Sequence, residues 1–142
     1  MKKFKNLILI LLFAFILNNV SFAENNYFTD GKELFDKKQY NEAKFFFEKD
    51  IVFNPKNENS YLYLAKIFKI EKKEILEESN LKTTLLLNPK NEEAIFNLAL
   101  LNIKKSNFSK SKELINTFDK VCKNLCSSKK KLQETLDNTN KK

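Results

Sequence analysis

The segment Asn54-Pro55-Lys56-Asn57 recurs as Asn88-Pro89-Lys90-Asn91, and this pair of segments organises the whole sequence. Their prolines are the only two in the chain and lie 34 residues apart. Each segment follows an apolar run and precedes an acidic residue, Glu58 in the first case and Glu92 in the second. A period between about 20 and 50 residues is typical of stacked-repeat architectures. The spacing therefore predicts repeated units that are joined at these two segments.

The composition of the 142-residue chain favours a single all-helical domain without reactive chemistry. The chain has one glycine, Gly31, and two prolines, whereas an all-β fold needs turn residues at short intervals. The absence of histidine removes the commonest general acid/base and metal ligand, and a single glycine cannot form a glycine-rich phosphate loop. We therefore predict no catalytic site, no cofactor, no metal ion and no small-molecule substrate.

The N-terminus has the pattern of a secretory signal peptide. Three lysines precede an uninterrupted apolar run over residues 7–17, and Ser21 and Ala23 are small residues at positions −3 and −1 of a cleavage site. The run is too short to span a bilayer comfortably. We predict that residues 1–23 are the signal peptide and that the mature chain is exported to the periplasm or cell exterior. An uncleaved signal anchor is the alternative, because further apolar residues follow the run.

The net charge of +8 is concentrated in the C-terminal part of the chain. Residues 101–142 contain 11 lysines and 4 acidic residues. Such asymmetry is compatible with a contact to anionic lipid, cell-wall polymer or an acidic partner, and equally with an ordinary solvated surface. We expect no nucleic-acid partner, because an exported protein seldom meets nucleic acid and no binding motif is present.

Apolar residues at helical spacing predict two helices in each repeated unit. Proline disfavours the helical conformation of the preceding residue, so Asn54 should end a helix. The second helix of the second unit is expected to bury Ile75, Leu76, Leu81, Leu85 and Leu86. That of the third unit should continue to Leu125. A final polar helix is predicted over residues 129–136, followed by a frayed tail from Asn138.

These residues resemble the tetratricopeptide repeat, with units at residues 24–57, 58–91 and 92–125 and a capping helix and tail at 126–142. The first unit matches the family pattern at Tyr27, Gly31, Leu34, Tyr40, Ala43, Phe47 and Pro55. The first unit departs from it at Asp50 and the second at Glu77, where the family usually has alanine. The resemblance implies an all-α, right-handed solenoid of stacked helix-turn-helix hairpins.

The resemblance also implies a concave groove, lined by the first helix of each unit, that binds a peptide or partner segment. By position, the groove would present Phe28, Lys32, Phe35, Leu62, Lys66, Lys69, Phe96, Leu100 and Ile103. Apolar residues mixed with lysines would suit an amphipathic or acidic-aromatic segment. As an alternative, the termini of the chain itself could fill part of the groove.

The sequence thus supports the hypothesis of a non-catalytic protein–protein interaction scaffold in a bacterial cell envelope. The alternative is a basic envelope protein whose C-terminal lysines contact anionic lipid or cell-wall polymer.

Cys122 and Cys126 are the only cysteines in the chain. Two cysteines in an exported protein usually pair. Four residues apart on a helix, their Cα atoms would lie about 6 Å from each other, which is within disulfide range. We predict a disulfide that fastens the end of the last repeat helix, with intermolecular bridges or free thiols as alternatives.

Overall fold

The computed structural model describes residues 26–140, so the predicted signal peptide lies outside the described residues. This range contains seven helices: α1 (Tyr27–Asp36), α2 (Tyr40–Phe53), α3 (Glu58–Ile70), α4 (Glu74–Leu87), α5 (Glu92–Lys104), α6 (Phe108–Val121) and α7 (Ser128–Asn140). Helices α1–α2, α3–α4 and α5–α6 form three hairpins, and the first helix of each hairpin packs on the second helix of the hairpin before it. Helix α7 packs against α5 and α6. The predicted all-α stack of hairpins is confirmed.

No helix among residues 26–140 combines the length and the apolar character that a membrane crossing requires.

The 34-residue period is kept by the backbone of the hairpin turns. The second helices of the three hairpins begin at Tyr40, Glu74 and Phe108. One residue in each turn has a positive φ: 62° at Lys38, 59° at Lys72 and 59° at Ser106. The amide of the following residue donates to a carbonyl five positions earlier, as Gln39 does to Leu34 at 2.9 Å. This is the Schellman pattern of helix termination, so all three hairpins turn in the same way.

The two Asn-Pro-Lys-Asn segments are the joints between hairpins. Asn54 is the C-cap of α2, and Asn57 is the N-cap of α3. In the second copy, Asn88 and Asn91 have the same roles for α4 and α5. The N-cap side chains accept backbone amides, from Asn59 at 3.2 Å in the first joint and from Ala94 at 2.9 Å in the second. Asparagine is among the most favoured N-cap residues, which explains its recurrence at these points.

The first joint also contains a buried carboxylate, that of Asp50. Asn54 Nδ2 donates to Asp50 Oδ1 at 2.9 Å, and Asn57 Nδ2 donates to Oδ2 at 2.7 Å. The Ser60 hydroxyl, on α3, donates to Oδ2 as well. A buried charge is costly unless it is hydrogen-bonded, and Asp50 has three donors. Its departure from the alanine of the family pattern therefore has a structural role.

In the second and third hairpins, the glutamate that begins the first helix accepts hydrogen bonds from residues just after the second helix. In the second hairpin, Asn88 Nδ2 donates to Glu58 Oε1 at 3.2 Å. In the third, the backbone amides of Asn124 and Leu125 donate to Glu92 Oε2 at 3.0 and 2.8 Å. These bonds hold the pKa of the Glu92 carboxyl below its ordinary value of 4.5, with the Leu125 amide as the largest cause. The third hairpin has no Asn-Pro-Lys-Asn segment after its second helix, and these hydrogen bonds to Glu92 fix the chain at that point instead.

The prediction for the buried face of α4 is wrong at three positions. Ile75 and Leu86 are 82% and 81% exposed, and Leu76 is also exposed. Leu81 is buried as predicted, and the other buried residues of α4 are Glu77 and Thr84, which lie at helical spacing from it. Because apolar residues occur all around this helix, the neighbouring helices decide which side is covered.

The C-terminal end also differs from the sequence-based expectation. Helix α6 ends at Val121 and not at Leu125, and α7 continues to Asn140 where a frayed tail was expected. The Sγ atoms of Cys122 and Cys126 lie 2.18 Å apart as a disulfide, with 5.2 Å between the Cα atoms. The two cysteines were expected four residues apart on a helix. The disulfide instead spans the turn between α6 and α7. Leu132 and Leu136 bury α7 against the third hairpin.

Close packing within each hairpin pairs a small residue on the first helix with a large one on the second. An added Cβ at Gly31 would lie 2.8 Å from Phe47 Cε1. At the equivalent positions, Ala65 lies in one core cluster with Leu81, and Ala99 in another with Ile115. Glycine thus faces the bulky ring, and alanine faces the smaller aliphatic side chains.

We predict that Gly31→Ala lowers the free energy of unfolding by about 1–3 kcal/mol, because overpacking forces the buried Phe47 ring to move. In a Phe47→Leu background, which recreates the alanine–leucine pair of the second hairpin, the same change should cost little or increase stability. Urea denaturation of the four chains measures this coupling. An equal loss in both backgrounds would contradict the proposed contact.

Candidate partner-binding groove

The exposed face of α1 and α3 carries a cluster of three aromatic side chains: Phe28, Phe35 and Tyr63. The Tyr63 ring meets that of Phe28 edge-on at 5.7 Å between centroids and that of Phe35 at 5.0 Å. All three side chains are half-buried. Edge-to-face contacts at these distances are favourable beyond the area they bury. We call this group the aromatic cluster; the family pattern places Phe28 and Phe35 in the groove but not Tyr63.

Lys66 connects the aromatic cluster to the third hairpin. Its Nζ atom lies 4.4 Å from the Tyr63 ring centroid and 5.5 Å from that of Phe35, which are cation–π distances. The same atom is 2.9 Å from Glu93 Oε1 on α5. Lys66, one of the predicted groove residues, therefore already interacts within the chain, with aromatic rings on one side and the Glu93 carboxylate on the other.

The other two predicted groove lysines, Lys32 on α1 and Lys69 on α3, are exposed. Lys32 Nζ is 2.6 Å from Asp36 Oδ2, and this hydrogen bond raises the pKa of Lys32 above its ordinary value of 10.5. Lys69 Nζ donates to Asn97 Oδ1 on α5 at 2.8 Å. Both lysines keep exposed side chains that a second molecule can reach.

Two of the predicted groove residues are wrong, because the structure buries them. Leu62 is 4% exposed and packs with Leu81 and Leu98 between the second and third hairpins. Ile103 is 1% exposed and lies in the cluster that α7 covers with Leu132. Neither side chain can contact a partner in this conformation.

Phe96 and Leu100 are half-buried and pack against the cluster that includes α7. The C-terminal helix thus packs on the helix that supplies the last part of the predicted groove. The open part of the face is formed by α1 and α3, together with the edge of α5 that carries Glu93 and Asn97.

Further ion pairs join the second hairpin to the third. Lys105 Nζ and Lys82 Nζ lie 2.5 and 2.6 Å from the two oxygens of Glu78. The hydrogen bond from Lys105, followed by that from Lys82, lowers the pKa of Glu78 to about 2. Lys104 Nζ lies 2.7 Å from Glu74 Oε1. The pairs of Lys105 and Lys104 link α4 to the C-terminal end of α5, whereas the pair of Lys82 with Glu78 lies within α4.

Within residues 26–140, no group of three or more His, Cys, Asp or Glu side chains is placed to hold a metal ion.

Comparison with known proteins gives a structural likeness only. No protein-family model matches the sequence, and no curated protein matches it significantly. The first TPR of Spaghetti (RPAP3), bound to the HSP90 peptide SRMEEVD, aligns with a TM-score of 0.71 and 17% identity over 80% of this chain and 90% of that chain. The TPR2B domain of yeast Sti1, in a complex with pHsp70, gives 0.69 and 16% over 81% and 94%.

The type III secretion chaperone SycD of Yersinia enterocolitica, in complex with a peptide of the translocator YopD, aligns with a TM-score of 0.69 and 12% identity over 80% of this chain and 89% of that chain. Identities this low establish the fold alone. The chain has the fold of tetratricopeptide-repeat domains with about three repeats, as its sequence predicted.

We predict that Glu78 makes the link between the last two hairpins sensitive to acid. Because its pKa is lowered in the folded state, it contributes stability above pH 4.5 that is lost as the pH falls toward about 2. The stability difference between the wild type and Glu78→Gln should therefore shrink over this interval in urea denaturation. Glu113→Gln, at an exposed position on α6, is the control. A constant difference for Glu78→Gln would contradict the assignment.

Proposed function

We propose that the protein is a non-catalytic interaction scaffold that binds a segment of a partner protein along the exposed face of α1, α3 and α5. The observation that carries this proposal is the half-buried aromatic cluster, with Lys66 stacked on it and Lys32 beside it. Aromatic residues of this kind are enriched at the centres of protein interfaces. The peptide complexes of Spaghetti, Sti1 and SycD, which share the fold, support the same kind of role.

The partner segment is expected to be amphipathic, with apolar side chains for the aromatic cluster and acidic side chains for the lysines. An acidic residue of the partner would compete with Asp36 for Lys32, and would meet Lys69 without displacing a carboxylate. Charges at the rim of an interface act mainly on the association rate and on the choice of partner. The apolar contacts should therefore contribute most of the affinity.

We predict that a photo-crosslinking amino acid at Lys32 or Lys69 captures a defined partner in cells, whereas the same residue at Lys112 or Lys120 does not. All four positions are exposed, but the latter two lie on α6, away from the proposed face. Mass spectrometry of the crosslinked products identifies the partner and the contacting peptide.

A charge reversal provides the matched control. Lys32→Glu should reduce the crosslinking yield from position 69, and Lys112→Glu should leave it unchanged. Crosslinks that form only from Lys112 and Lys120 would contradict the groove and favour the alternative of a basic surface that contacts an anionic envelope component.

We further propose that the protein acts outside the cytoplasm of a bacterial cell. The signal-peptide pattern of residues 1–23 supports export. The Cys122–Cys126 disulfide is consistent with it, because disulfides persist mainly in oxidising compartments.

We predict that the protein recovered from the cell envelope begins at Glu24 and carries an intact Cys122–Cys126 disulfide. The intact mass, measured with and without a reducing and alkylating step, tests both points at once. A chain that retains residues 1–23 would favour the signal anchor, and recovery only from the cytoplasm would refute export.

A further inference from the structure

A buried glutamate occupies a position at which the other two hairpins have small residues. Glu77 on α4 is 5% exposed. Its equivalents 34 residues away are Ala43 and Ser111, both buried, and the Ser111 hydroxyl is hydrogen-bonded to the carbonyl of Asn107 at 3.0 Å. Among residues 26–140, the Glu77 carboxylate has no hydrogen-bond or ion-pair partner; burial raises its pKa, opposed by the charges of Lys69 and Lys104. The Glu77 side chain as a whole is buried, but its carboxylate oxygens keep contact with solvent in an adjoining pocket and are therefore available to a ligand.

The Glu77 side chain lines a pocket between the second and third hairpins. The pocket has a volume of about 150 Å³, and its other walls are Lys69, Lys72, Glu74, Leu100, Leu101 and Lys104. A cavity of about this volume can hold benzene, so a side chain of four or five heavy atoms fits. Lys69 and Leu100 are also predicted groove residues, which places the pocket at the edge of the proposed partner-binding face.

The charges around the pocket restrict what can enter it. Glu74 and Lys104 neutralise each other at 2.7 Å, and Lys69 is hydrogen-bonded to Asn97. The groups that remain are an acceptor, the Glu77 carboxylate, and the ammonium donors of Lys69 and Lys72. A cationic ligand would meet the ammonium groups of Lys69 and Lys72, and an anionic one would meet the Glu77 carboxylate. A neutral ligand that both donates and accepts hydrogen bonds avoids both conflicts, and a primary amide is such a group.

We propose that this pocket binds the side-chain amide of a glutamine or asparagine residue in the partner segment. The amide nitrogen donates to the Glu77 carboxylate, the amide oxygen accepts from Lys69 or Lys72, and the aliphatic stem contacts Leu100 and Leu101. The inference rests on the proposed function for the source of the ligand, and on the pocket itself for its chemistry.

The test uses the full chain and the blocked amino acid N-acetylglutamine methylamide, so that no partner has to be known. NMR titration should shift the methyl signals of Leu100 and Leu101 and lower the pKa of the Glu77 carboxyl, because a donated hydrogen bond stabilises the charged form. The blocked derivatives of glutamate, lysine and norleucine should bind at least about tenfold more weakly, since each leaves a polar group unpaired.

Two variants distinguish a specific site from general surface binding. Glu77→Ala introduces the residue that the first hairpin has at this position and should fold, yet weaken glutamine binding about tenfold. Glu113→Ala, on the exposed face of α6, should bind as the wild type does.

Equal binding of all four derivatives, unchanged glutamine binding by Glu77→Ala, or no shift up to the solubility limit would overturn the proposal. These results leave the crosslinks from Lys32 and Lys69 unaffected, and absent crosslinks would leave the titration unaffected. The pocket and the groove can therefore fail separately.

Discussion

The buried carboxylate of Asp50 sets the relative position of the first two hairpins. Its three donors come from the end of α2, from the joint and from α3, so the bonds can all form only when α3 has one orientation on α2. A buried charge that loses a donor is costly, which makes this orientation strongly preferred. The aromatic cluster depends on it, because Tyr63 reaches Phe28 and Phe35 only from a correctly placed α3.

Features that local chemistry determines could be predicted from the sequence. The asparagines cap helices because of their side chains, and the prolines end helices because of their rings, so the joints and the period followed from the residues alone. The covered side of α4 could not be predicted in this way. Its apolar residues point in all directions. The residue that is buried beside Leu81 and Thr84 is Glu77, which no hydrophobic pattern would select.

The groove shows the same division between local and tertiary information. Leu62 and Tyr63 are adjacent, and a rotation of about 100° separates a buried position from an exposed one on a helix. Family position selected Leu62, whereas the third hairpin covers that side and leaves Tyr63 on the open face. The only sequence signal for Tyr63 was its helical spacing to Lys66, which now lies over its ring. Ile103 was wrongly assigned to the groove for a similar reason, because nothing in its neighbourhood in the sequence indicates that α7 returns to cover it.

The two joints have the same capping residues but different buried groups, Asp50 in the first and Thr84 in the second. The sequence therefore specifies the order in which the hairpins can stack. An in-frame loss of residues 58–91 would place Ala94 where Ser60 stands and remove a donor from the buried Asp50. A tandem duplication of the same residues would keep the Asp50 joint intact, and would set Ser60 opposite Thr84, which already donates to the Asn80 carbonyl at 2.9 Å. The stack of hairpins should therefore lose less stability when a whole unit is added than when one is removed.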